Sequence, residues 1–422
     1  MIKEITAICE KPVAKLAGFR NSLISVFLFG IGFFAAADSG YFSTPGLLIP
    51  YLTESPQINS MAGVVIDSHT GALLYSKNPD LQIPPASLTK LMTMHLLLNE
   101  VKAGGTSLNA IVPITEESWA LRQPPRSSLM FLEPGQIVTL REILLGLAVS
   151  SGNDAAVAAA LYLAPNVNEF TRLMTMQARN MGLAVTRFTD TSGYSSNNIT
   201  TAAEFTHFCR QYINLHPESL NNFHSVPVFA YPAANNAVAA KRNNPGTIVQ
   251  HNSNTLLETF PGVDGLKTGF IRESGYNFAL TAQRNDTRFI AVTLGADSSR
   301  NRRRDADMLL SWAFNNFKTV RPAAIVIDPQ RLWKGRDNYI ELVLKGDADF
   351  TSPVSRANNL MQKIEISSLL TAPLPAGYRA GDLVFYDDYG ELNRIPLVTI
   401  RDYEKGNIFK RLWHSIILLF KQ

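Results

Sequence analysis

The sequence predicts an α/β fold: an antiparallel sheet flanked by helices, with an all-helical subregion, a small C-terminal all-β domain and a terminal amphipathic helix. β-Type runs stand at both ends of the segment 62–294, and a long helix-prone stretch lies between them. After Arg321-Pro322 the pattern changes to short apolar runs punctuated by turn residues. A chain of 422 residues exceeds what one hydrophobic core usually organises, so two folded domains plus tails are expected.

Basic residues up to Arg20 lead into the apolar run Leu23 to Phe34 and then Ala35-Ala36-Ala37, which is the layout of an export signal over residues 1–37. The run is shorter than the roughly 20 residues that span a bilayer comfortably, which favours cleavage after Ala37 over an uncleaved anchor. Either way the body of the protein lies outside the cytoplasm. Ala62 to Ile66 and Ala72 to Tyr75 read as a hairpin around Asp67-Ser-His-Thr-Gly71. Pro84 and Pro85 end extended structure, and Ser87 to Val101 carries a helical apolar pattern, which puts Ser87 at a helix start.

A helical region is expected from about Phe131 to Asn180, with a capping box at Thr139-Leu-Arg-Glu142 and a break at Ser151-Gly152-Asn153. Asn197 to Phe260 reads as loop-dominated, with one helix around Ala202 to Ile213. Gly265 to Phe270, Tyr276 to Ala282 and Arg288 to Leu294 are β-type runs, and a helix from about Arg304 to Phe317 closes the first domain, 38–318. Residues 319–404 form the β domain, with strands at Ala324 to Ile327, Ile340 to Leu344, Lys363 to Ile366, Leu383 to Tyr386 and Leu397 to Ile400.

Residues 405–422 form an amphipathic helix. Ile408, Phe409, Leu412, Trp413, Ile416, Leu419 and Phe420 fall on one half, and Lys410, Arg411, His414, Ser415 and Lys421 on the other. A basic face opposite an aromatic and aliphatic face suits an in-plane membrane anchor. A helix docked on its own protein is the competing reading.

Charged residues make up 18% and the net charge is +4, too mild for a nucleic-acid footprint. The two cysteines, Cys9 and Cys209, leave no internal disulfide once the N-terminus is removed. The seven histidines show no paired ligand spacing, so no metal is expected.

Three short motifs carry chemistry. Ser87 and Lys90 are three residues apart on a helix, so their side chains share a face and a neutral Lys90 amine can take the serine proton. Burial, a second cation such as Lys267, and the helix dipole would all favour that neutral form. Ser151 would shuttle a proton to the leaving group, and Asn153 would bind a substrate amide oxygen or fix Lys90. Lys267 and Thr268 would hold a terminal carboxylate, while Gly269 would let substrate backbone approach the strand. Each motif alone also reads as an ordinary cap or exposed lysine. Together, in this order, they form a complete acyl-transfer site.

With their surroundings, Pro85-Ala-Ser-Leu-Thr-Lys-Leu-Met-Thr93, Ala148-Val-Ser-Ser-Gly-Asn-Asp-Ala-Ala156 and Gly262-Val-Asp-Gly-Leu-Lys-Thr-Gly269, the chain resembles the penicillin-recognising serine D,D-peptidases. Among these it is most similar to the D-alanyl-D-alanine carboxypeptidases of low-molecular-mass penicillin-binding proteins. The resemblance implies a β-lactamase/transpeptidase-like fold and a Ser87 acyl-enzyme formed from peptidoglycan stem peptides. It also implies acylation by β-lactams, no cofactor, and a periplasmic enzyme attached peripherally to the inner membrane. It places the oxyanion hole at the backbone N–H groups of Ser87 and Phe270, and an arginine, Arg302, near the carboxylate. Phe270 stands where the family commonly has His, and Asp190-Thr-Ser-Gly-Tyr194 replaces a more usual turn. A D,D-endopeptidase and a low-turnover penicillin-binding scaffold are the alternative functions.

Overall fold

In the computed structural model, which describes residues 55–420 apart from 239, 240, 242, 324 and 368, strands from both ends of the segment 62–296 meet in one sheet. The expected export signal lies outside the described residues. The strands are β1 (Ala62–Asp67), β2 (Leu73–Lys77), β3 (Val263–Ile271), β4 (Gly275–Arg284) and β5 (Thr287–Ala296). Their order is β2-β1-β5-β4-β3, and every neighbouring pair is antiparallel.

Both faces of this sheet are covered, which is why its strands read as continuous apolar runs. Val64 and Ile66 of β1 join Ile290, Val292 and Leu294 of β5 in one core, whereas Val65, Phe289 and Ala291 enter a second. Strand geometry thus sorts alternate side chains between the two cores. Helices α1 (Lys90–Lys102), α2 (Leu140–Ala148), α3 (Asn153–Leu163), α4 (Val167–Asn180) and α5 (Ala202–Leu215) complete the first core. Helix α6 (Ser299–Asn316) covers the other face.

α2 opens on the expected capping box: Thr139 Oγ1 accepts from the Glu142 N–H at 3.3 Å, and the Glu142 carboxylate accepts from the Thr139 N–H at 2.7 Å. Several expectations need correction. Ser87 lies in a 3₁₀ turn, Ala86–Thr89, that leads into α1. The helical region begins at Leu140 and not at Phe131, because the backbone of Met130, Phe131 and Leu132 bonds to Asp154 and Phe131 takes φ +72°.

α6 begins at Ser299 and not at Arg304. Ser298 caps it, and arginines are good helix formers even without an apolar stripe. The segment 197–260 holds, besides α5, a strand pair, Val228–Tyr231 with Ile248–His251, and a wide helical turn, Leu220–His224. Residues 325–327 are not a strand, and Val326 is exposed.

Besides a short pair, Gln330–Arg331 with Tyr339–Ile340, the C-terminal strands are β6 (Phe317–Val320), β7 (Leu342–Leu344), β8 (Phe350–Pro353), β9 (Met361–Ile366), β10 (Arg379–Asp387) and β11 (Gly390–Thr399). β6 pairs with β8, and the order β7-β11-β10-β9 makes a four-stranded sheet around Leu383, Phe385 and Leu397. Asp67, at the end of β1, joins the two parts. Its fully buried carboxylate accepts from Thr319 Oγ1 at 2.7 Å, Thr351 Oγ1 at 2.8 Å and the His69 N–H at 2.8 Å.

α7 (Ile408–Leu419) follows, capped by Asn407, whose side chain accepts from the Lys410 N–H at 2.9 Å. It begins three residues after the expected 405. His414 is its buried residue, and Nδ1 accepts from the Lys334 N–H at 2.8 Å. Phe409, Leu412, Trp413, Leu419 and Phe420 are exposed. Among the described residues, no helix is long and apolar enough to cross a membrane.

Replacing Asp67 with alanine removes the acceptor of the buried Thr319 hydroxyl, of the Thr351 hydroxyl, which keeps its contact with Thr70 Oγ1, and of the His69 and Thr70 amides, an expected loss of about 2–4 kcal/mol. Thermal unfolding of the variant should show a clearly lower midpoint; an unchanged midpoint would contradict this role.

Candidate active site

Three different elements bring their motifs together at the open edge of β3. Ala86 takes φ +52° after Pro84-Pro85, and the following turn presents Ser87 ahead of α1. Two glycines let other segments close on that turn. A Cβ at Gly193, where φ is +83°, would lie 1.7 Å from the Ala86 carbonyl oxygen, and one at Gly269 would lie 3.0 Å from the Ser87 nitrogen.

Lys90 is fully buried, and its Nζ lies 3.1 Å from Ser87 Oγ, 2.8 Å from Asn153 Oδ1 and 2.7 Å from the Ser192 carbonyl oxygen. The last two atoms can only accept. A neutral amine has two N–H bonds and one lone pair, so donating to both leaves the lone pair facing the Ser87 hydroxyl. Burial lowers the Lys90 pKa to about 7, although the negative charges of Asp190 and Asp154 pull it upward. Of the effects expected from sequence, burial is therefore the largest, and two carboxylates oppose it.

Both carboxylates are engaged in shaping the backbone. Asp154 accepts from the N–H groups of Met130 at 2.8 Å, Phe131 at 2.8 Å, Leu132 at 3.0 Å and Ala155 at 2.9 Å. That loop also supplies Ser127 Oγ, which accepts from Asn153 Nδ2 at 3.0 Å and so orients Oδ1 toward Lys90. Asp190 accepts from the N–H groups of Ser192 at 2.7 Å, Gly193 at 2.6 Å and Ser195 at 2.7 Å, which turns the Ser192 carbonyl onto Lys90.

In the sequence the Asp190 turn stands out only as a departure from the family pattern, and Asp154, beside Ser151-Gly152-Asn153, carries no signal of its own. Asp190 with Ser192 and Gly193 has the spacing of an Asx turn, the one local signal that marks it. Ser151 lies in the same break with φ +56° and is buried, but it joins none of the hydrogen bonds around Lys90 in this conformation. The helix cap itself is Gly152, without a side-chain bond.

On the other wall, Lys267 is buried and its Nζ donates to the Thr268 carbonyl at 3.1 Å. Burial, together with the charges of Lys90 and Arg302, holds it well below the ordinary lysine range. Thr268 is buried, whereas Phe270 is half exposed and lies against Tyr276, with ring centroids 4.3 Å apart. Arg302 lies in the first turn of α6, its guanidinium 5.6 Å from the Tyr276 ring and 5.7 Å from the Phe278 ring. Among the described residues its buried Nε has no hydrogen-bond partner. Burial lowers Arg302 to about 10. Among the described residues, no group of three or more His, Cys, Asp or Glu could hold a metal ion.

Residues 50–298 match the family described as D-alanyl-D-alanine carboxypeptidase, and residues 314–405 match the penicillin-binding protein 5 C-terminal domain. The chain belongs to the D-alanyl-D-alanine carboxypeptidase family. It is 31% identical over 376 residues to the D-alanyl-D-alanine carboxypeptidase DacC of Escherichia coli, covering 87% of this chain and 90% of that one. Penicillin-binding protein 5 from Haemophilus influenzae superposes with a TM-score of 0.72 at 30% identity, over 84% of this chain and 100% of its own. Penicillin-binding protein D2 from Listeria monocytogenes, solved with cefotaxime bound, gives 0.54 at 26% identity over 62% of this chain and 100% of its own. The family places the antiparallel sheet, the helical subregion and the C-terminal β domain as expected from sequence.

Proposed function

We propose that the chain removes the terminal D-alanine from peptidoglycan stem peptides through an acyl-enzyme on Ser87. The observation that carries this reading is the Lys90 amine, whose two acceptor-only partners leave its lone pair for the Ser87 hydroxyl. Lys90 takes the proton as Ser87 Oγ attacks the carbonyl carbon of the D-Ala-D-Ala amide. The N–H groups of Ser87 and Phe270 receive the developing oxyanion. Collapse breaks the C–N bond, with the proton passing from Lys90 through Ser151 to the leaving nitrogen. Water then hydrolyses the ester, with Lys90 again serving as the base.

Lys267, Thr268 and Arg302 hold the substrate's terminal carboxylate, and Gly269 admits its backbone. An arriving carboxylate supplies the counter-charge that Lys267 lacks, so binding favours its protonated form. Of the two roles expected for Asn153, its bond to Lys90 supports fixing the base. Phe270 contributes a backbone N–H and no titratable side chain, which leaves deacylation to Lys90 and Ser151. β-Lactams, which present an acylating carbonyl and a carboxylate, would react with the same serine.

Residues 1–37 serve as the export signal, 38–318 as the peptidase domain and 319–404 as the β domain, placing the enzyme in the periplasm. Helix α7 then attaches it to the inner membrane surface. Its polar side docks on the body through His414 and through Lys410 Nζ, which donates to the Arg336 carbonyl at 2.8 Å. Its apolar side remains outward. Burying those side chains in the interface is worth on the order of 10 kcal/mol before ordering costs.

Mass spectrometry with penicillin, beside a D-alanine release assay on a pentapeptide, tests the reaction. The wild type should gain one adduct and release D-alanine, and Ser87→Ala should do neither. Adduct without release would favour the low-turnover scaffold; labelling of Ser87→Ala would overturn the assignment. A chain ending at Glu404 should leave the membrane fraction, and unchanged sedimentation would refute the anchor.

A further inference from the structure

The register from Leu266↔Leu280 to Ile271↔Gly275 is unbroken, and among the described residues β3 pairs with β4 on one side only. In an antiparallel edge strand, every second residue turns both backbone groups to the open side. Leu266, Thr268 and Phe270 share that parity. The Thr268 carbonyl takes the Lys267 Nζ, and the Phe270 N–H is the group assigned above to the oxyanion hole. The Leu266 carbonyl, first in the row, is taken by a side chain: His224 Nδ1 lies 3.2 Å from it.

A carbonyl only accepts, so Nδ1 carries the proton and Nε2 accepts from Tyr212 O–H at 2.8 Å. His224 and Tyr212 are both buried, and their rings meet edge to face at 5.5 Å. Behind Tyr212 stands His216, at a ring distance of 5.5 Å, whose Nε2 lies 3.1 Å from His95 Nδ1. Burial and the neighbouring Lys267 keep the His224 imidazole neutral, lowering it to about 3. The Tyr212–His224–Leu266 chain therefore links α5, in the helical subregion, to the strand edge directly before the third motif.

We infer that His224 is a positioning residue for the acyl-transfer reaction. Anchored at Nε2 by Tyr212, with Nδ1–H donated to the Leu266 carbonyl, it fixes that carbonyl and with it the placement of Lys267 and the Phe270 N–H relative to Ser87. It touches neither substrate nor nucleophile. The inference rests on β3 being the strand that holds substrate and oxyanion.

The test compares single-turnover penicillin acylation per active site, counted by burst amplitude, in the full chain and in His224→Leu, His224→Asn and Tyr212→Phe. Asparagine places an N–H near the position of Nδ1. The leucine variant should acylate at least tenfold more slowly per folded site, the effect of displacing reacting groups by a fraction of an ångström to an ångström. The asparagine variant should recover most of that rate, and Tyr212→Phe should lose a few-fold, since it removes the donor that anchors Nε2 but keeps the imidazole.

A purely structural role would lower the burst amplitude and melting temperature while leaving the rate per site unchanged, and that result overturns the inference. If the leucine variant does not fold, Tyr212→Phe and His224→Asn decide: wild-type rates in the first, or a leucine-like loss in a folded second, would also overturn it. A wild-type chain that forms no acyl-enzyme would instead defeat the underlying reading of Ser87.

Discussion

Burying Lys90 is the constraint on which the rest of the site depends. A lysine taken fully out of water pays a desolvation cost of several kcal/mol if it keeps its charge, so the interior either neutralises it or surrounds it with partners. This protein does some of both. Asn153 Oδ1 and the Ser192 carbonyl satisfy two N–H bonds, while Asp154 and Asp190 act from one step further out. Removing either carboxylate would cost more than its charge, because each also fixes the loop that presents a Lys90 partner. The nucleophile needs little activation beyond this, since Ser87 occupies the remaining direction at Lys90 Nζ.

The second wall follows from sheet topology. β3 lies at the edge, so its outward backbone groups are unpaired by β structure and free for substrate on one stretch. Arg302, and Lys267 whenever it is protonated, place positive charge there without an acidic residue in the first turn of α6. Such an arrangement is unfavourable for the empty protein and favourable once a carboxylate arrives, which under the proposed function would select an anionic substrate end. The long-range pairing of β1 with β5 holds the two walls in one body.

Much of this was legible in the chain. The motifs reported residue types and local element, and the capping box at Thr139 reported a helix boundary to within a residue, because both depend on contacts a few positions apart. What stayed hidden depends on distant contacts. The Phe131 region looks helical by composition, yet its backbone serves Asp154. The start of α6 was obscured by an arginine run with no apolar stripe, although Ser298 caps it. His224 showed no spacing that would pair it with anything, since its partners come from Tyr212, on α5, and Leu266, on β3. Ser151 is read from its motif alone, and the proton relay proposed for it needs a substrate-bound geometry, since it shares none of the Lys90 hydrogen bonds here.

The central claim is that neutral Lys90 is the base that activates Ser87. The pH dependence of single-turnover acylation by a β-lactam whose charge is constant over the range tests it most directly. The rate should rise about tenfold per pH unit below about 7 and level off above it, as Lys90 loses its proton. A rate that is flat from weakly acidic to alkaline pH, or that rises only near the ordinary lysine pKa, would contradict the account.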